Sequence, residues 1–96
     1  MSNDINKKLN ELNIKLDEAS APAGSYVPYV ITGNLVFISG QLPFINGKIT
    51  TKGKVGENVS VEEGIKMAEA CTKTILSQLK EACNGDLNKV KKVVKL

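Results

Sequence analysis

The chain has 96 residues and no histidine or tryptophan, and its 13 cationic side chains are all lysine, so arginine is absent as well. Without histidine it lacks the one side chain that ordinarily titrates near neutrality, and with it the commonest metal ligand. Without arginine, nothing here can grip a carboxylate or phosphate through two parallel donors, so a site for small anions has to be completed from elsewhere. Only two cysteines occur, Cys71 and Cys83. Both fall in one expected helix, where twelve positions at about 1.5 Å each set them roughly 18 Å apart. That distance excludes an intrachain disulfide, and two thiols without histidine are a poor metal site. They read as small apolar residues at or beside a packed face, and no metal or cofactor is expected.

Charge and hydropathy exclude further classes. A net charge of +3 is too small and too dispersed to argue for nucleic acid. Lys89, Lys91, Lys92 and Lys95 cluster near the end with no aromatic residues between them as stacking platforms. They read as lysines that discourage wrong pairing along a solvated strand edge. No apolar run is long enough to span a membrane. The first twenty residues carry Asp4, Glu11, Asp17 and Glu18 and lack both an apolar signal core and the arginines of a transit peptide. The expected location is the cytoplasm, and the expected organisation is a single domain over 1–96 with a modest core.

What is present is organised around YVPYVITGNLVFISGQLP, Tyr26 to Pro43. Val27, Tyr29 and Ile31 precede Gly33-Asn34, a pair that tolerates positive φ, and Leu35 to Ser39 follow, which predicts a β-hairpin closed by Ser39-Gly40-Gln41. Leu35 and Phe37 project to one side and Val36 and Ile38 to the other, so both faces of the hairpin are expected to be covered. Upstream, Asn3 to Leu12 places Ile5, Leu9 and Leu12 on one face of a short amphipathic helix, and Asp17 to Gly24, interrupted by Pro22, reads as a connector. These make up an N-terminal part over 1–24. From Phe44 to Asn58, glycines and lysines alternate without matching either phosphate-binding glycine motif, which predicts a flexible surface loop.

The strongest periodicity follows. Ser60 and Glu63 have capping-box spacing, and Ile65, Ala68, Thr72, Ile75, Leu76, Leu79, Ala82 and Cys83 fall within about 60° of one direction on a helix. Gly85 supplies the stop, as a C-cap or in the turn directly after. Asp86 to Lys89 reads as a turn, and Val90 to Leu96 as a third strand. A helix of this length spans about 35 Å, whereas the hairpin strands reach only about 17 to 20 Å. Three strands and one helix leave the far side of the sheet bare. The chain is therefore expected to be a shortened version of a larger domain, with something covering that second face.

GNLVFISGQLP (33–43), GKVGENVSVEEG (53–64) and LNKVKKVVKL (87–96), in this order, resemble the RidA family, also called YjgF or L-PSP endoribonuclease, in its branch with an N-terminal helical extension. The resemblance implies an α+β, chorismate-mutase-like fold, its sheet packed on the long helix. It implies a homotrimer with ligand clefts between subunits, which would cover the bare face. It also implies hydrolysis of reactive enamines or imines, such as 2-iminobutanoate and 2-iminopropanoate, to 2-oxo acids and ammonia. Tyr26 matches the family's cleft-lining tyrosine, Ser39 and Gly40 the Ser-Gly pair bordering that cleft, and Gln41 and Pro43 the positions shaping its turn, all toward a small carboxylate or imino-acid ligand. The family's carboxylate-pairing arginine and water-associated glutamate lie on strands after the third, and no residue of this chain matches them. No catalytic residue is assigned, and whether the chain is an enzyme stays open. The alternative is a non-catalytic ligand-binding or structural trimer. Ribonuclease action, suggested by a family name, finds little support without a histidine base, arginine clamps or a basic aromatic surface.

Overall fold

The computed structural model describes residues 4–19, 21 and 24–96. Asn3, the expected start of the first helix, and Pro22 in the expected connector lie outside them. The order of elements is α1 (Ile5–Glu11), β1 (Tyr29–Thr32), β2 (Leu35–Ile38), α2 (Val61–Ala82) and a 3-10 turn, Leu87–Lys89.

Both helices begin and end by satisfying backbone groups that a helix leaves without partners. Asp4 caps α1 by accepting from the Lys7 N–H at 3.1 Å. The Ile5 N–H, also in that first turn, donates to Asn88 Oδ1 at 2.7 Å, from the far end of the sequence. At the start of α2, the Glu63 N–H donates to Ser60 Oγ at 3.1 Å and the Ser60 N–H donates to Glu63 Oε1 at 3.2 Å, completing the expected capping box. Its C-terminus closes with Asn84 N–H to Glu81 O at 3.0 Å and Gly85 N–H to Lys80 O at 2.8 Å. This is the paired reverse bonding of a Schellman end. The left-handed residue that starts the turn is Asn84 (φ 54°), and Gly85 stands in the turn after it. Helix α1 ends in the same way around Asn13 (φ 58°), with Ile14 N–H to Leu9 O at 2.8 Å.

β1 and β2 form an antiparallel hairpin with Tyr29 opposite Ile38, Val30 opposite Phe37, Ile31 opposite Val36 and Thr32 opposite Leu35. Opposed residues share a face, so Tyr29, Ile31, Val36 and Ile38 form one side and Val30, Thr32, Leu35 and Phe37 the other. Helix α2 packs on both strands. On the first side Tyr29, Val36 and Ile38 are half-buried and Ile31, beside the turn, is 52% exposed, whereas on the other Val30, Leu35 and Phe37 remain 51, 45 and 58% exposed. The bare outer face anticipated from the sequence is therefore present in the single chain.

Three expectations are corrected. Val90–Leu96 forms no strand, and among the described residues the sheet has only two, because an extended segment becomes a strand only when a neighbour takes its N–H and C=O groups. Val93, Val94 and Leu96 are exposed, and Lys91, Lys92 and Lys95 lie on open coil rather than a sheet edge. The turn expected over Asp86–Lys89 is tightened into the 3-10 segment, with Asp86 accepting from the Asn88 N–H at 3.0 Å. Second, the glycine-rich stretch is not wholly loose. Lys54 to Val59 is folded back by Val59 N–H to Lys54 O at 3.0 Å and Lys54 N–H to Asn58 Oδ1 at 2.7 Å, and Val59 is buried. Third, α2 buries Ala70, Ser77 and Gln78 most deeply, off its apolar stripe. On the stripe, Ile65, Ala68 and Thr72 are exposed, Ile75, Leu76, Leu79 and Ala82 are half-buried, and Cys83 is buried.

Few apolar residues are deeply buried among those described: Val59, Ala70, Cys83 and Leu87. The radius of gyration is 14.5 Å. A compact domain of this length has about 12.5 Å, so one copy packs loosely around its hairpin. Among the described residues no helix is long and apolar enough to cross a membrane.

Candidate functional site

The hairpin register brings most of the candidate residues to its open end. Tyr26 and Val27 lie just before β1, and Ser39 to Gln41 just after β2. The Ser39 N–H donates to Pro28 O at 2.9 Å, which continues the pairing one step past the strands. Ser39 Oγ donates to Val27 O at 2.6 Å. That commits the hydroxyl proton to the backbone and leaves the oxygen lone pairs as its remaining bonding capacity. The chain has no histidine to take such a proton. Ser39 is therefore built as a fixed acceptor, not an activated nucleophile.

Gln41 folds back on the same turn, its Nε2 donating to Ser39 O at 2.9 Å. Gly40 is exposed, and a Cβ placed on it would meet no atom within 4 Å. Its N–H makes no hydrogen bond among the described residues, so a backbone donor stands open beside the Ser39 oxygen. Tyr26 is 45% exposed. Gly24 gives its ring room, since a Cβ there would come within 3.1 Å of Tyr26 Cε1. Pro43 is half-buried farther along, where Leu42 O lies 3.4 Å from Thr74 Oγ1 of α2.

Two surface grooves stand out among the described residues, and none of these five residues lines either. The larger groove runs between α2, the segment after α1 and the 44–47 turn. Its rim carries Lys15, Lys66 and Lys73 against Asp17, Glu18 and Glu69, over Phe44 and Ile45. Sequence reading missed this groove because it is assembled from three distant stretches, none of which bears a motif. Its charges balance, and Thr74 and Ser77 spend their hydroxyl protons on Ala70 O and Lys73 O, so it presents no concentrated polar chemistry. Cys71 is half-buried, and desolvation raises its thiol pKa above the ordinary value, the opposite of the shift that activates a cysteine. Among the described residues no group of three His, Cys, Asp or Glu stands close enough together to hold a metal.

Known proteins agree with this architecture. The family described as "YjgF/chorismate_mutase-like, putative endoribonuclease" matches residues 6–96. Protein TCP17 of Trypanosoma cruzi is 46% identical over 90 residues, which is 92% of this chain and 54% of that protein. A crystal structure of a protein with unknown function from Agrobacterium tumefaciens superposes with a TM-score of 0.78 at 43% identity, over 96% of this chain and 54% of the other. That of a "putative endoribonuclease" from Shewanella oneidensis superposes with a TM-score of 0.87 at 34% identity, over 95% of this chain and 60% of the other. The chain thus spans between half and two thirds of the length of these relatives. With the hairpin, the long capped helix and the order of segments in agreement, this chain belongs to the YjgF/chorismate-mutase-like family and has its α+β fold.

Proposed function

We propose that this chain contributes the hairpin side of a cleft between identical subunits, in which a small imine or enamine bearing a carboxylate is hydrolysed to a 2-oxo acid and ammonia. The observation that carries the reading is the open end of the hairpin. There a hydroxyl oxygen fixed as an acceptor, an unengaged backbone N–H and an exposed tyrosine lie on the two chain segments that the hairpin pairs, at the end of a sheet face whose Val30, Leu35 and Phe37 are exposed.

The chemistry asks little of the protein. Water adds to the C=N carbon, the nitrogen takes up a proton, and ammonia leaves as the carbonyl forms. Positioning water and excluding bulk solvent are the main contributions. Ser39 Oγ would accept from the imine nitrogen, the Gly40 N–H would donate to a substrate oxygen, and the Tyr26 hydroxyl would orient substrate or water. Gln41 and Pro43 would hold the shape of the turn. A homotrimer would supply the opposite wall and bury Val30, Leu35 and Phe37. The cation that meets the substrate carboxylate is not an arginine of these 96 residues. In this reading it comes from the part of the fold that the relatives have beyond the span matched here.

That same lack of arginine favours, as a second reading, a trimer that binds small carboxylates without turning them over. The two separate in one experiment. Freshly generated 2-iminobutanoate is mixed with the protein as its gene encodes it, and 2-oxobutanoate release is followed against buffer. A rate above buffer that falls in Tyr26→Phe supports hydrolysis, and saturable carboxylate binding with the buffer rate supports the second reading. RNA cleavage that survives rigorous removal of nucleases would displace both.

A further inference from the structure

Two Asn-Gly pairs occur in the chain, Asn46-Gly47 and Asn84-Gly85. Both asparagines have positive φ (51° and 54°), both glycines follow in the same region (79° and 89°), and all four residues are exposed. They differ in what holds the glycine nitrogen. The Gly85 N–H donates to Lys80 O at 2.8 Å and the Asn84 N–H donates to Glu81 O at 3.0 Å, so the pair is locked onto the end of a 22-residue helix. At the other pair, Ile45 N–H to Lys48 O at 2.8 Å and Lys48 N–H to Ile45 O at 3.0 Å close the turn, while the Gly47 N–H makes no hydrogen bond among the described residues. This turn connects no named strands and rests on an isolated two-residue bridge.

An unbonded amide followed by no side chain is the nucleophile that attacks a preceding asparagine. We propose that Asn46 is a site of spontaneous deamidation and isoaspartate formation, and that Asn84 is protected from the same reaction by the helix end. The Gly47 nitrogen loses its proton to hydroxide and bonds to Asn46 Cγ. The Cγ–Nδ2 bond breaks, and ammonia leaves with a proton from water. Water then opens the resulting succinimide at either carbonyl, giving aspartate or isoaspartate. At Asn84 the attacking N–H must first be freed from Lys80 O, a local opening that the Gly47 N–H does not need.

The product has consequences for the larger groove, whose rim includes Asn46 and Gly47 beside Lys66 and Lys73. Either product places a new carboxylate there and tips the balanced rim toward negative charge. The isoaspartyl form also adds a backbone methylene, which the two-residue turn between Ile45 and Lys48 cannot absorb without losing its bonds.

The test is to age the native chain at mildly alkaline pH and map both sites by peptide mass spectrometry, with isoaspartyl methyltransferase labelling as a second readout. A parallel sample is aged in urea. In the folded chain Asn46 is expected to convert at least about five-fold faster than Asn84, the ratio set by one net hydrogen bond. In urea the two rates converge. Asn46→Gln removes the labelled product from the first site and leaves Asn84 as it was. Equal rates in the folded chain, faster conversion of Asn84, or an Asn46 that stays intact while the urea sample converts would each overturn the proposal.

Discussion

The two faces of the hairpin carry nearly the same kind of side chain and meet opposite fates. Tyr29, Val36 and Ile38 lie half-buried under α2, with Ile31 beside the turn left exposed, while Val30, Leu35 and Phe37 on the reverse are all about as exposed as surface residues. Composition does not separate the faces, since each is β-branched and aromatic. What separates them is the availability of a partner: one long helix covers one side of a two-stranded ribbon and cannot reach the other. A face that is apolar in sequence and wet in the lone chain is the kind of surface that marks interaction sites in proteins generally.

The sharpest contrast with both faces is a residue outside the sheet. Leu87 is 1% exposed, in the turn that meets α1, and Leu87→Ala should cost about 2–5 kcal/mol in urea unfolding, the range of a cavity left in a tight site. A smaller loss would mean that even the best-buried point of this chain packs loosely. On the helix-facing side, Ile38→Ala should cost about 1–2 kcal/mol, since a half-buried side chain loses only part of that range. On the bare side, Phe37→Lys should leave the dissociated chain within about 0.5 kcal/mol of the parent, as surface changes do. The same substitution should lower the sedimenting mass of any assembly. If Phe37→Lys destabilises the dissociated chain as much as Ile38→Ala, the distinction between the faces is gone.

Much of the architecture could be read in advance where the physics is local. Ser60 and Glu63 announce the start of α2 because a capping box needs only four consecutive residues, and Gly33-Asn34 announces the hairpin because a tight turn needs only two. From the hairpin register follows the juxtaposition of Ser39 with Val27, and hence the convergence of most of the candidate residues. The failures are equally physical. Val90–Leu96 has strand-forming residues, but a strand is a relation between segments, and no segment here stands beside it. The apolar stripe of α2 marks the residues best suited to burial by their own chemistry. The most deeply buried residues of the helix are instead Ala70, Ser77 and Gln78, because burial depends on distant segments whose placement the helix sequence does not encode.

The bond from the Ile5 N–H to Asn88 Oδ1 spans 83 positions of sequence. Its consequence lies in the order of events during synthesis. A helix of seven residues is too short to persist by itself in water. Helix α1 is therefore synthesised before the residue that finishes its first turn. That bond has to wait for Asn88, so among the described elements the first in sequence is one of the last to be secured.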